Sequence, residues 1–479
     1  MTNIKKNYVY NLMYELLAII VPLVTTPYVS RVLGATAIGD FNYVTSIVSY
    51  FGLFAVTGTV SYGNREIAIR QKNEYDRSKL FWEIFIFRFL FCVFATILYV
   101  FFFLNFLLQY KFLFLVQLFT AASWFIDVSW FCQGMGNFKV TAIRNSLVKI
   151  LCTVGIFVFV KSSHDLWIYN LLNCASIFLG NVTMWGYVLK NVIYIPLRKM
   201  NVFIHSKQIF SLFIPVLAVQ LYTMLNKTIL GALSNTTEVG YYSQAERVIK
   251  IALTIPSSLI SVMFPVMALL YSEKKIQQLH EYISKVMDFI FMLSLPMMVG
   301  CIVVAYEFVP FFFGPGYDSV VPVMQVLSFL FIILNIGRLS GTILVSIGKQ
   351  NLYTRAVVVA SIVNIILNII FISLFQMGSL GVSISTVIAE VLATVIQAKY
   401  VGDIISPKAI LESFIKYCYP MGFMLVVLLI LNVILPIGII SLIVKILVAS
   451  LSYFLILALR KDRMLSSLLA QIKRKFIRL

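Results

Sequence analysis

Apolar runs of about twenty residues recur from one end of this 479-residue chain to the other. Each is long enough to cross about 30 Å of hydrocarbon as an α-helix. The runs lie near 8–30, 41–61, 80–104, 112–133, 145–161, 166–189, 208–232, 244–271, 285–312, 319–346, 353–375, 380–401, 416–435 and 438–459. They predict an all-α, polytopic membrane protein of about 14 transmembrane helices. Only 12% of the residues are charged and 61% are hydrophobic. A water-soluble domain keeps about a quarter of its residues charged, so composition argues against a water-facing globule. No cleavable leader is expected. Lys5 and Lys6 precede an apolar run that lacks a small-residue cleavage site and continues as the first span.

The formal charge of +19 would suggest a nucleic-acid partner in a soluble protein. Its distribution argues otherwise, and no nucleic acid is expected. With the N-terminus in the cytoplasm, cytoplasmic loops and tails hold about 29 of the 38 Lys and Arg residues, and external loops about five. The segments holding Arg65, Arg70, Lys72, Arg77 and Lys79, and then Lys190, Arg198, Lys199 and Lys207, are the densest. A bias of this kind fixes orientation and calls for an even number of spans, which puts both termini in the cytoplasm. A single miscounted helix would invert every later loop and destroy the pattern. Cys92, Cys132, Cys152, Cys174, Cys301 and Cys418 are scattered through apolar runs, and His164, His205 and His280 show no ligand spacing. Neither a metal nor another cofactor is implied. In the tail, residues 461–479, Met464, Leu468, Ile472 and Phe476 recur every fourth position among basic residues. Such a helix would lie on the anionic inner leaflet; a solvated basic tail is the plainer alternative.

An internal repeat organises the chain. Arg31-Val-Leu-Gly-Ala-Thr-Ala-Ile-Gly39-Asp-Phe-Asn closes the first span, and Thr228-Ile-Leu-Gly-Ala-Leu-Ser-Asn-Thr-Thr-Glu-Val-Gly240-Tyr-Tyr-Ser closes the seventh. Both read Leu-Gly-Ala, a polar turn, a β-branched residue before glycine, then an aromatic. The copies lie about 200 residues and six spans apart, so they would share one orientation, as in a parallel repeat about an axis along the membrane normal. Coincidence of common turn residues is the competing explanation. The expected divisions are an N-terminal lobe 1–200, a C-terminal lobe 201–405, two further helices in 406–460, and the tail.

Charges inside apolar runs are the main functional signal, because each costs about 2.5–3.5 kcal/mol at the bilayer centre on insertion scales. Arg88, Lys227 and Arg338 are candidates for contacts with an anionic headgroup, since guanidinium and ammonium groups match phosphate oxygens. Intramembrane pairs, such as Arg88 with Glu83 or Lys227 with Asp127, would serve structure instead. Arg31 and Arg247, at external ends, are candidates for guarding an exit or for anchoring at the interface. Glu15, Asp127 and Glu390 are the acids best placed for ion coupling, because a desolvated carboxylate exchanges protons nearer neutrality. Lys445 is as readily a side chain that extends to an interface. Pro22, Pro27, Pro215, Pro256, Pro265 and Pro296 predict kinks, and Asn364 and Asn368 predict interhelical hydrogen bonds.

The opening Pro22-Leu-Val-Thr-Thr-Pro-Tyr-Val-Ser-Arg31, Asp127-Val-Ser-Trp-Phe-Cys-Gln-Gly134, Asn226-Lys-Thr-Ile-Leu-Gly231 and Glu238-Val-Gly-Tyr-Tyr-Ser-Gln-Ala245 form an ordered set of weak motifs. Together with Asn364, Asn368, Gly381 and Glu390, the chain resembles bacterial polysaccharide repeat-unit flippases of the Wzx type. These belong to the multidrug/oligosaccharidyl-lipid/polysaccharide exporter superfamily, and the likeness runs over roughly residues 1–400. The resemblance implies two six-helix lobes around a central cavity, with two extra C-terminal helices. It also implies an undecaprenyl-diphosphate-linked oligosaccharide flipped by alternating access across the bacterial cytoplasmic (inner) membrane. The lipid bilayer would be a partner, alongside polysaccharide polymerase and chain-length machinery. Position 226 is Asn where the family commonly has Asp, which puts a coupling role there in doubt.

Three rivals share parts of this pattern. A lipid-linked sugar polymerase or ligase would need a substantial external loop with clustered catalytic residues, whereas the external loops here are short. A cation-coupled multidrug exporter should carry an acid-rich interior. A peptidoglycan-precursor flippase or teichoic-acid exporter is closer in kind. The chain is not expected to be an enzyme.

Overall fold

The computed structural model describes the backbone of residues 2–470 apart from 57, 107, 403, 405, 406 and 468. Side chains are described for the same residues except 2–15, 18, 138–143, 214–216, 218, 219, 221–223, 259, 261, 262 and 407. Glu15, Pro215 and the tail positions Leu468, Ile472 and Phe476 therefore lie outside the described side chains. Among the described residues the secondary structure is helical throughout. In hydrocarbon each backbone N–H and C=O must be satisfied within the protein, and a helix does this within one segment.

The chain packs as two compact units, 1–240 and 241–479. The first holds α1 (Thr2–Val56), α2 (Thr59–Ile69), α3 (Glu74–Asn105), α4 (Lys111–Ile126), α5 (Ser129–Gly134), α6 (Phe138–Phe159), α7 (Leu166–Asn191) and α8 (Ser206–Leu233). It also takes the first turn of α9 (Thr236–Ser272). Gly34 interrupts α1 with φ 79° and ψ 170°, a conformation open to glycine and costly for residues with a Cβ. The break separates the runs 8–30 and 41–61, which otherwise continue as one helical stretch. Asn73 caps α3 by accepting the N–H groups of Tyr75 and Asp76, and Glu74 and Asp76 add negative charge in its first turn. α1 packs on α3, α6 and α8, and α4 packs on α7. Phe81, Trp130 and Phe131 fill the core, with the Phe81 and Trp130 rings stacked at 5.5 Å. α8, the first helix of the expected lobe 201–405, packs here against α1 and α2. Compactness and the sequence repeat thus divide the chain at different points.

The second unit contains the rest of α9, then α10 (Ile276–Phe313), α11 (Val320–Leu327), α12 (Leu330–Ser346), α13 (Gln350–Ile369), α14 (Gly378–Tyr400), α15 (Pro407–Ile434) and α16 (Ile439–Leu459). A π-helical turn, Ile370–Leu374, extends α13. α9 bends by 42° between Thr236–Ser258 and Met263–Ser272. The bend falls between Pro256 and Pro265, each of which lacks the N–H that would continue the helix ladder. Phe291, Leu295, Tyr417, Met424 and Tyr453 join α10, α15 and α16, and Tyr453 Oη donates to the Met292 carbonyl at 2.8 Å.

Large apolar side chains also cover the outside. Phe94 and Phe101 on α3 and Val433 on α15 are 57%, 61% and 89% exposed. Aligned with cores that are also apolar, such surfaces require a non-aqueous surround. The protein is an all-helical, multi-pass membrane protein. Among the described residues ten helical stretches are long and apolar enough to cross a membrane, or eleven if the bent α9 pair forms one span. This is fewer than the fourteen apolar runs for two reasons. The runs 8–30 and 41–61 share one stretch, and the runs 145–161 and 208–232 lie on α6 and α8, which include undescribed side chains.

Candidate functional site

The two copies of the sequence repeat meet in space within the first unit. Gly39 packs so closely on the start of α9 that a Cβ there would lie 1.6 Å from the Thr236 carbonyl oxygen. A Cβ on Gly240 would lie 2.1 Å from the Ala35 carbonyl oxygen. The contact is reciprocal, backbone on backbone, and Thr36 Oγ1 lies 2.9 Å from Thr237 Oγ1 beside it. The two segments that carry the shared motif are therefore in direct backbone contact.

A polar layer follows along the same helices. Thr228 Oγ1 on α8 lies 3.1 Å from Ser46 Oγ and accepts from Tyr50 Oη at 3.1 Å. Gln117 on α4 donates to Thr45 Oγ1 at 3.2 Å and to Asn170 Oδ1 on α7 at 2.8 Å. Asn226 is buried, and Lys227, next to Thr228, is half-buried.

Arg88 has different surroundings. Its side chain is 2% exposed; Nη2 donates to Asp127 Oδ2 at 2.8 Å and Nε to the Trp124 carbonyl at 3.2 Å. Asp127 sits where α4 stops, and its other oxygen accepts the Ser129 N–H at 3.0 Å, which starts α5. A headgroup candidate and a coupling candidate are thus one buried ion pair, and the pair fixes a broken helix. Sequence reading had offered Glu83 as the partner of Arg88. Glu83 is instead turned to the segment before α8, accepting the Asn201 N–H at 2.8 Å and lying 3.0 Å from His205 Nε2.

In the second unit Arg338 is exposed on α12, and the charge of Glu390 on α14 acts on it. These two site candidates are brought into electrostatic reach of each other. Asn364 and Asn368 are fully buried on α13. Asn368 donates to Asn364 Oδ1 at 3.1 Å and accepts from Ser385 Oγ of α14. Their role is helix-to-helix bonding. Arg31 is exposed on α1 and Arg247 is half-buried on α9.

Two arrangements escaped the sequence. Lys445 on α16 is 1% exposed and forms an ion pair with Glu307 on α10. It is buried rather than extended to an interface. Glu307 stands alone among apolar residues late in the run 285–312, and that isolation was the available signal. The Tyr62–His205–Glu83 cluster joins α2 and α3 to the chain before α8, with Tyr62 Oη 2.7 Å from His205 Nδ1. No local spacing advertises it. Among the described residues no group of three or more His, Cys, Asp or Glu side chains is arranged to hold a metal.

The chain is similar to known proteins in sequence and in fold. The chain is 26% identical over 274 residues to "Probable low-salt glycan biosynthesis flippase Agl15" of Haloferax volcanii, covering 56% of each chain. It is 21% identical over 413 residues to "Putative O-antigen transporter" of Escherichia coli, covering 84% of this chain and 97% of that one. Among solved structures, "Lipid II flippase MurJ, inward closed conformation" superposes with a TM-score of 0.73 at 16% identity, over 95% of this chain and 99% of that one. An inward-facing multidrug resistance MATE family transporter of the MOP superfamily gives 0.60 at 14%, over 80% and 97%. These superpositions show a shared fold. Residues 4–271, more than half the chain, match the family model described as "Polysaccharide biosynthesis protein". They include the glycine contact, the Arg88–Asp127 break and Lys227, and this chain belongs to the polysaccharide biosynthesis protein family.

Proposed function

We propose that the chain is a flippase. It carries undecaprenyl-diphosphate-linked oligosaccharide repeat units from the inner to the outer leaflet of the bacterial cytoplasmic membrane, for surface polysaccharide, by alternating access and without covalent chemistry. The observation that supports this most is the family match together with a fold shared over nearly the whole chain with a lipid II flippase. Lys227 stands next to Thr228, whose hydroxyl meets Ser46 and Tyr50, and is a candidate contact for a phosphate. Taking a diphosphate and sugars through hydrocarbon unaided costs many kcal/mol, whereas the lipid tail can remain in the bilayer. A wet passage with a few cations and many small polar groups removes most of that cost.

In this reading the chain makes fourteen crossings, counting α6, α8 and both halves of α1, with both termini cytoplasmic. The repeat sets lobes 1–200 and 201–405, and α15 and α16 in 406–460 stand outside them. Lys227 in the first unit and Arg338 in the second are each candidate contacts for an anionic headgroup, and Glu390 is the candidate coupling acid. Arg88 and Asp127 hold the break between α4 and α5. Arg31 and Arg247 stand at the external ends. Polymerase and chain-length machinery would take up the product. A multidrug exporter shares the fold, but the family match favours a phosphate-bearing cargo.

Deleting the gene should leave lipid-linked repeat units on the inner leaflet and stop surface polymer, read by mass spectrometry of the lipid fraction. Normal polymer in a deletion strain without a paralogue would refute the assignment. Lys227→Ala should lower polymer output about tenfold at unchanged membrane abundance, since one charge-assisted phosphate contact contributes about 1.5–3 kcal/mol. Lys227→Arg should restore part of it.

A further inference from the structure

The ends of α10 and α16 frame a polar crevice of about 1120 Å³ in the second unit, which the transport reading leaves without a role. A three-ion cluster forms its floor. Lys416 Nζ on α15 lies 2.7 Å from Asp288 Oδ2 on α10 and 2.9 Å from Asp462 Oδ2 just beyond α16. Ser413 Oγ donates to the other oxygen of Asp288 at 2.8 Å. The second oxygen of Asp462 accepts the N–H groups of Met464 and Leu465, both at 2.9 Å. The cluster thereby pins the chain leaving α16 against α10 and α15. Burial pushes the Asp462 carboxyl up, but the Leu465 N–H, the Lys416 ammonium and the Met464 N–H outweigh it and hold it below the ordinary carboxylate range. Asp462 therefore stays ionised at neutral pH.

Four more cations stand exposed on the walls: Lys285, Arg460, Lys461 and Arg463. Glu281 is the one exposed acid among the lining residues. Five cations and three carboxylates leave the lining at +2, with His280 taken as neutral. Arg460 is held at the rim, its guanidinium 5.3 Å over the Tyr419 ring. Position decides what ligand such a crevice fits. Leu459 ends the apolar helix α16 and Ile276 begins α10, so the crevice stands at the headgroup level of any membrane these helices cross. The neighbouring Leu411, Ile415 and Leu459 are each more than half exposed. Charge above and an apolar face below match an amphiphilic anion.

We propose that this crevice binds the phosphate of an anionic bilayer lipid, whose acyl chains lie along the exposed apolar faces of α15 and α16. Guanidinium and ammonium groups on opposite walls close over the phosphate oxygens. Bound lipid then ties the start of the basic tail to α10. The inference rests on the placement of α10, α15 and α16 and is independent of the cargo.

Native mass spectrometry of the full-length protein, loaded with equal amounts of phosphatidylglycerol and phosphatidylcholine, reads the preference directly. The wild type should retain phosphatidylglycerol in excess. Lys285→Ala and Arg463→Ala should each reduce that excess about fivefold, the factor expected for one cation near an anionic lipid. Lys285→Arg should keep it, which separates charge from folding, and Lys349→Ala, an exposed cation outside the crevice, should leave it unchanged. Equal retention in the wild type and both alanine variants overturns the proposal. So does inorganic phosphate binding to the detergent-purified protein without any phosphatidylglycerol preference, which would assign the crevice to a free anion.

Discussion

Gly39→Leu is expected to stop surface polymer while the protein remains in the membrane at its normal level. The contact it disrupts has no flexible partner. The atoms facing Gly39 are the carbonyl oxygen and carbon of Thr236 and the amide nitrogen of Gly240, all backbone. A Cβ placed 1.6 Å from an oxygen forces two helical segments apart, and no rotamer change relieves it. Neither segment loses apolar surface, so insertion should be unaffected. Overpacking of this kind costs about 1–3 kcal/mol or more. If one transport state needs the contact closed, output should fall about tenfold or beyond, the factor that about 1.4 kcal/mol carries. Gly240→Leu should give the same loss, and the double variant should be no worse than either single one, because both act on one contact. Polymer blots normalised to membrane protein measure this. Wild-type output from Gly39→Leu would show that the contact is dispensable.

Arg88→Ala should fail in a different way, by loss of stability. Without the guanidinium, Asp127 retains the Ser129 N–H but loses its counter-ion, and the Trp124 carbonyl loses its donor. Breaking a buried pair by removing one partner costs about 3–5 kcal/mol, a large share of a domain's typical stability of about 5–15 kcal/mol. Abundance should drop several-fold, and the detergent-purified protein should melt several degrees lower in a thermal size-exclusion assay. Arg88→Ala with Asp127→Asn should recover most of the loss, since the amide can still cap α5 without a buried charge. Asp127→Asn alone tests a coupling role for Asp127. A coupling acid would make Asp127→Asn inactive at normal abundance, whereas a structural acid makes it scarce. Unchanged thermal stability in Arg88→Ala would contradict the structural role.

Much of the helix pattern was legible because hydrocarbon imposes a length and a composition on each crossing. The proline bend of α9 was legible for a similarly local reason, a missing N–H. Charge partners were not. Arg88 met Asp127 across 39 residues rather than the nearby Glu83, and Lys445 met Glu307 across 138. Pairing of buried charges depends on which helices become neighbours, and sequence distance says little about that. The Asn368 bond to α14, braced by Asn364, was easier, since both residues sit on one helix face, one turn apart.

By itself the sequence determined that this chain is a bundle of apolar helices, because water and lipid sort residues by hydration free energy wherever they stand in the chain. It also disclosed the similar segments around Gly39 and Gly240. Only the tertiary structure decided that these two glycines face each other, that Arg88 is held by Asp127, and that Lys416 gathers Asp288 and Asp462 beneath a basic crevice. Those are distances between helices, and they follow from how side chains of many helices fill shared space.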